Sequence, residues 1–275
     1  VGYAHPTAVF RQFSPVLSTD LLAFYRRVSQ APLTVVDVET TGHRPTVGRV
    51  IEVSVLQATL ADGIQHQQTH LVNPQVPVPD MITRFTGISQ AMVDHAPFAE
   101  TVWHQYLPLL NTGVLTAHNL SFDYAFLRAE FGHQGINFSR SPIEQFCTVI
   151  LARLMLPDLP SRSLPDLVQH FQFPVGQSHR AEADTIACWL LAKHLLTEVQ
   201  NESDESLLAR FVKQWLPLGD AALILGCSGK QARSRLEKAG VSPRFVGRHR
   251  TPMYQRGAVE RVVLETAEPI QLSWL

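Results

Sequence analysis

The chain has 275 residues, enough for one large domain or two smaller ones at roughly 100–200 residues each. Hydrophobic residues make up 45% and charged residues 17%, which excludes intrinsic disorder as the main state. Lys+Arg and Asp+Glu nearly cancel to a net charge of −1, but residues 1–205 carry 12 basic against 19 acidic side chains and residues 206–275 carry 11 against 5.

An acidic body (net −7) followed by a basic tail (net +6) predicts two modules, the second suited to a polyanion. Uneven surface charge alone is the other reading. No apolar run approaches the ~18 residues of a membrane span. Cys147, Cys188 and Cys227 are widely spaced and form no C-x-x-C pair, which argues against a disulfide scaffold or a zinc knuckle. The expectation is a soluble, cytoplasmic protein with no membrane partner.

In chain order, Ser18-Thr19-Asp20 followed by apolar residues at helical spacing predicts a short helix, so residues 1–32 read as a helical extension packed on the main domain. Leu33 to Glu39 is β-branched and closes at Thr41-Gly42, a strand ending in a turn. Strands at 50–60 and 64–72 complete a meander. A buried strand follows at 114–118, and helices are expected at 121–131, 143–156, 163–171 and 180–199. Three strands followed by strand–helix alternation predict an α/β fold, a mixed sheet with helices on its faces. The domain spans 33–200, the acidic run beginning at Asn201 makes a linker over 201–207, and 208–275 form the second domain.

Three segments carry carboxylates that suit chemistry. Asp37 and Glu39 lie two apart on a strand and so project from one face, at the strand's C-terminal end. Like charges that close repel unless a cation neutralises them, and hard oxygen ligands suit Mg²⁺ or Mn²⁺; a solvated strand end has the same pattern. In His118-Asn119-Leu120-Ser121-Phe122-Asp123, Ser121 is the expected helix cap and Asp123 falls in the first turn, as a ligand or as a capping aspartate. In His179-Arg180-Ala181-Glu182-Ala183-Asp184, Asp184 lies on a helix and His179 in the preceding loop, either a surface cap or a group that swings toward a metal-bound water.

Taken together and in this order, these strings resemble the DEDDh branch of the DnaQ-like exonuclease superfamily, whose best-known member is the proofreading epsilon subunit of bacterial DNA polymerase III. Val35-Val36-Asp37-Val38-Glu39-Thr40-Thr41-Gly42, His118-Asn119-x-x-Phe122-Asp123 and His179-x-Ala181-x-x-Asp184 carry the resemblance, with Phe85-Thr86-Gly87-Ile88 and Ser163-Leu164 in support. It covers about residues 33–197. Cys147-Thr148 replaces a frequent Asp-Thr and Thr86 a frequent His, neither of them a metal position.

The resemblance implies a ribonuclease H-like fold and a two-metal-ion 3′→5′ exonuclease releasing nucleoside 5′-monophosphates. Asp37 would bridge two divalent ions, Mg²⁺ or Mn²⁺, with Glu39 and Asp184 completing one site and Asp123 serving the other. His179, an imidazole able to take a proton near neutral pH, would be the general base. Thr40, Thr41, Phe85, His118, Asn119 and Phe122 are candidates for holding the terminal nucleotide; for Phe85 and Phe122, core packing is an equal reading.

In the basic tail, Gly219 to Leu225, a Gly-containing turn, Ser228 as a cap and a helix from Lys230 to Gly240 follow helix-turn-helix logic. The segment resembles the winged helix-turn-helix of MerR and excisionase-like proteins. That resemblance implies a small winged-helix-like domain, with a wing over 244–254, a closing helix, and Lys230, Gln231, Arg233, Arg235, Arg248 and Arg250 toward nucleic acid. A protein-docking extension is the alternative. The expected function is a metal-dependent 3′→5′ exonuclease acting on the 3′ end of single-stranded DNA, with a DNA polymerase or another replication or repair protein as a possible partner. Its rivals are an RNA-trimming exoribonuclease on the same fold and a DNA-binding regulator that uses the fold as a scaffold.

Overall fold

A computed structural model of the chain describes residues 17–176 and 179–266. These divide into two compact units, one of residues 25–152 and 159–201, the other of 17–24, 153–158 and 202–266. Among the described residues no helix is long and apolar enough to cross a membrane.

The first unit is built on a five-stranded mixed sheet. Strands β1 (Leu33–Thr40), β2 (Val50–Thr59) and β3 (Gly63–Leu71) form the expected antiparallel meander, and β4 (Val114–Ala117) and β5 (Gln145–Cys147) add in parallel, in the order β3-β2-β1-β4-β5. Helices fill the connections. Helix α1 (Ser18–Val28) precedes β1; α2 (Asp80–Thr86), α3 (Gln90–Asp94) and α4 (Ala99–Leu110) lie between β3 and β4. Then α5 (Leu120–His133) joins β4 to β5, and α6 (Thr148–Met155), α7 (Leu164–Phe171) and α8 (Ala181–Asn201) follow.

Alternation along β1 divides the two sides of the sheet. Val36 and Val38 enter the core formed with Trp103 and Tyr106 of α4 and Phe126 and Leu127 of α5. Asp37 and Glu39 project from the other face. The strand expected to end at 118 stops at Ala117, and the helix expected over 143–156 yields three of its residues to β5. A three-residue strand is too short to show a period; its parallel pairing with β4 creates it. Gly113 sits at φ +57 just before β4, where a Cβ would come within 2.8 Å of the Pro32 carbonyl oxygen, so the close approach of β1 and β4 requires glycine there. Of α1, only Tyr25 to Val28 group with this unit, Tyr25 packing edge-on against Phe146.

The second unit contains the first half of α1, where Ser18 donates through its backbone N–H and its Oγ to Glu260 Oε1, both at 2.8 Å. Of the expected extension over residues 1–32, residues 1–16 lie outside the described residues, and the described part is divided between the two units. Within the segment expected as a linker, 201–207, Ser203 caps α9 (Asp204–Phe211), accepting from the Ser206 amide. Its acidic residues are a first-turn signal favoured by the helix dipole, and Leu207 and Phe211 are buried. Strand β6 (Trp215–Pro217), helices α10 (Leu218–Ile224) and α11 (Gly229–Lys238), strands β7 (Arg244–Val246) and β8 (Thr251–Gln255) and helix α12 (Arg256–Thr266) complete the unit. Its antiparallel sheet runs β6-β8-β7, and Leu216, Ala221, Leu236, Tyr254 and Val259 share one small core.

Candidate active site

Asp37 and Glu39 meet Asp184, carried in the first turn of α8, on one face of the sheet. One carboxylate oxygen from each lies within 4.8 Å of the other two. Asp123 comes from the first turn of α5; it is buried, and its Oδ1 accepts from the backbone N–H of Val38 at 3.2 Å, between the two β1 carboxylates in sequence. Ser121 does not cap α5: Asn119 occupies the N-cap position in a left-handed conformation (φ 76), and the Ser121 hydroxyl donates to its side-chain oxygen at 3.2 Å.

The electrostatics of this cluster follow from crowding. Burial first, then the charges of Asp184 and Glu52, push Glu39 up to about 8, with Arg180 opposing. Asp37 is raised well above the usual carboxylate range by burial and by Asp123, Glu39, Asp184 and Glu52. Asp123 is raised by burial and by Glu39 and Asp184, against two backbone hydrogen bonds. An all-oxygen set that cannot hold its full negative charge alone fits a hard divalent cation, which takes the place of the protons.

Without a cation, the native chain keeps a proton on Glu39 that the unfolded chain has already lost between the ordinary carboxylate range and about pH 8. In chelator, stability is therefore expected to fall as pH rises through that window, and Mg²⁺ or Mn²⁺ to reverse the fall. Thermal melts between about pH 5 and pH 9, with and without the ion, read this directly. Glu39→Gln should flatten the profile, and a wild-type melting temperature indifferent to both pH and cation would contradict the reading.

His179 lies at the edge of the cluster with φ +66. Its backbone N–H donates to Asp184 Oδ2 at 3.0 Å, and its ring lies against Phe85, with centroids 3.9 Å apart and planes at 35°. Two residues that sequence reasoning passed over shape this segment. Glu52 on β2, 1% exposed and in register with Glu39, accepts from Arg180 Nη2 at 2.6 Å and from Arg180 Nε, and from the Ala181 amide at 2.9 Å. The Glu-x-Ser of β2 and the Arg of His179-Arg180-Ala181 were visible, but only the β1–β2 register places them together.

The remaining candidates divide. Phe85 is 57% exposed, beside His179 and outside the core, whereas Phe122 is half-buried against Phe126. The Thr40 hydroxyl donates to the Gly42 carbonyl at 2.7 Å, and Thr41 Oγ1 accepts from the Arg49 amide at 2.9 Å, so both brace the turn after β1. His118 engages Thr148 Oγ1 and the Arg162 carbonyl with its two ring nitrogens. In the second unit, Gln231 is exposed and Arg235 half-buried, and both make hydrogen bonds within the unit. Gln231 Oε1 accepts from Ser228 in a capping box, and Arg235 donates to the Leu225 carbonyl at 2.8 Å. Lys230, Arg233, Arg248 and Arg250 are exposed.

Comparison with known proteins agrees with this geometry. The family model for exonucleases of the RNase T type matches residues 34–191. A PolC-type DNA polymerase III of Caldanaerobacter subterraneus is 30% identical over 166 residues, 60% of this chain and 12% of the relative. The 3′-5′ exonuclease DinG of Bacillus subtilis is 30% identical over 167 residues, 60% of this chain and 18% of the relative. The chain thus spans less than a fifth of the length of these relatives. In fold it resembles E. coli Exonuclease I in complex with a dT13 oligonucleotide (TM-score 0.55, 17% identity, 61% of this chain and 41% of that one). It also resembles the nuclease domain of 3′hExo, a DEDDh family member bound to rAMP (TM-score 0.51, 18% identity, 61% and 92%). With more than half of its length matched by the family model and the acidic cluster in place, the chain belongs to the exonuclease (RNase T) family.

Proposed function

We propose that this protein is a divalent-metal-dependent 3′→5′ exonuclease that removes nucleoside 5′-monophosphates from the 3′ end of single-stranded DNA. The observation that carries this reading is the convergence of Asp37, Glu39 and Asp184 within 4.8 Å, with His179 bonded to Asp184 at its edge. Asp37, Glu39 and Asp184 would hold one cation, and Asp37 with Asp123 would hold a second. When bound, such ions supply Lewis acidity to the scissile phosphate, to the attacking water and to the leaving oxygen. His179 takes the water's proton at its ring nitrogen Nε2. Phe85, exposed beside His179, offers a face to the terminal base, and the carboxylates exclude a phosphodiester until cations neutralise them.

The second unit is proposed to bind nucleic acid in the manner of a winged helix-turn-helix: α10, a capped turn, α11 and the β7–β8 hairpin present Lys230, Arg233, Arg248 and Arg250. Gln231 and Arg235 shape that surface through their cap and turn bonds. The test of the catalytic reading is digestion of 5′-labelled DNA and RNA strands of identical sequence, in Mg²⁺, in Mn²⁺ and in EDTA. A metal-dependent ladder that shortens from the 3′ end of DNA is the expected result. A ladder on RNA alone would transfer the reading to an exoribonuclease, and no ladder on either would leave a DNA-binding scaffold.

Within this reading Glu52 is a positioning residue. Its carboxylate holds Arg180 and the Ala181 amide, and so fixes the backbone that carries His179. Glu52→Gln should lower kcat by roughly tenfold to a hundredfold, the order expected for a small misplacement of a reacting group, with KM nearly unchanged. Combined with His179→Ala it should add little, because both changes remove the same contribution. Full additivity of the two losses would show that Glu52 acts on stability alone.

A further inference from the structure

Outside the acidic cluster, the second unit holds a cleft of about 400 Å³ between β6, the end of β8, α12 and the connection from α11 to β7. Trp215 forms part of its wall and is 37% exposed. Gln255 stands directly opposite Trp215 in the β6–β8 register. Arg261 and Glu265, one turn apart on α12, and Ser242 complete the polar lining. The guanidinium of Arg244 lies over the same indole, 5.6 Å from its centroid.

These features belong together chemically. An indole that lines an open cleft can stack on a flat π-system, as the guanidinium of Arg244 stacks on the same ring. Gln255, Ser242 and Glu265 provide donors and acceptors for a ring edge, and Arg244 and Arg261 provide positive charge for a phosphate. The approach is basic as well: residues 230–250 contain seven Lys and Arg against the single acidic Glu237. A flat heteroaromatic ring joined to a phosphate chain is a nucleotide. In a duplex both faces of each base are covered, so only an unpaired base reaches such a wall.

We propose that this cleft takes an unpaired base of a single-stranded nucleic acid, stacked on Trp215. The proposal rests on the reading that the second unit binds nucleic acid and deepens it, by giving the unit a preference for single strands separate from the phosphate contacts of Lys230, Arg233, Arg248 and Arg250.

The full chain carrying Asp37→Asn, in EDTA, is titrated with a circular single strand of about 30 nucleotides, larger than one compact binding site, and with a duplex of the same sequence. The circle has no 3′ end to enter the acidic cluster. In a Trp274→Phe background, which leaves Trp103, Trp189 and Trp215, quenching of tryptophan fluorescence by the circle reports Trp215 because Trp103 and Trp189 are buried, and Trp215→Phe must remove it. Trp215→Ala is expected to weaken binding of the circle by roughly tenfold or more and to leave duplex affinity within about twofold. Trp215→Phe, which keeps a ring to fill the wall, should retain most of the affinity and so separates stacking from damage to the fold.

Quenching that survives in Trp215→Phe, unchanged affinity in Trp215→Ala, or equal loss on circle and duplex would each overturn the proposal. Failure of the broader reading looks different: the parent binds neither DNA, or neutralising Lys230, Arg233 and Arg250 together leaves both affinities unchanged.

Discussion

Replacing Asp37 by asparagine is expected to abolish release of nucleotides, by a factor of at least about 10³, while the chain stays folded. Asp37 is the carboxylate on which the cluster turns: it shares the trio with Glu39 and Asp184, and the charge of Asp123 is foremost among those that raise it. Losing it removes the placement of positive charge at the phosphate and at the attacking water, an effect of several kcal/mol at about 1.36 kcal/mol per tenfold in rate. The fold should survive because the asparagine relieves repulsion among buried carboxylates, so in chelator the variant should melt no lower than the wild type. Release of labelled mononucleotides gives the first measurement, and thermal melting in EDTA gives the second. Near-normal turnover with Mg²⁺ present would end the two-cation reading.

His179→Ala is expected to lower kcat by roughly 10²–10⁴-fold, the usual range for loss of a general base. The affinity for Mn²⁺ should hardly move. The contact between His179 and Asp184 runs through the backbone amide, 3.0 Å from Oδ2, and alanine keeps that amide. Because position 179 sits at φ +66, His179→Asn provides a second variant suited to the left-handed region; it should lose activity to a similar degree. Single-turnover rates and calorimetric Mn²⁺ binding for both variants separate proton transfer from metal binding. A variant with wild-type rate would make His179 a bystander, and one that loses the metal along with the rate would make it part of the cation site.

Much of the catalytic unit was legible in the sequence because its signals are local. The β-branched run before Asp37, the alternation that puts Asp37 and Glu39 on one face and the long amphipathic helix carrying Asp184 each need only a few neighbouring residues, and each strand or helix appears close to its expected bounds. The Ser228 cap and the turn between α10 and α11 were legible for the same reason: hydrogen bonds three residues apart are written in adjacent letters. What tertiary structure decided is what depends on a distant partner. Strand β5 exists through its pairing with β4, and residues 204–207 enter a helix whose Leu207 and Phe211 are buried. Helix α1 belongs to two units, which no local pattern records. Glu52 looked like an ordinary strand residue until the β1–β2 register set it opposite Glu39, within reach of Arg180, 128 residues away. The contacts of His118 with Thr148 and the Arg162 carbonyl, 30 and 44 residues away, are likewise set by packing alone. Spacing along a chain says which side chains share a face; only the closed sheet and its packed helices determine which of them meet, because the contacts that close it join residues far apart in sequence.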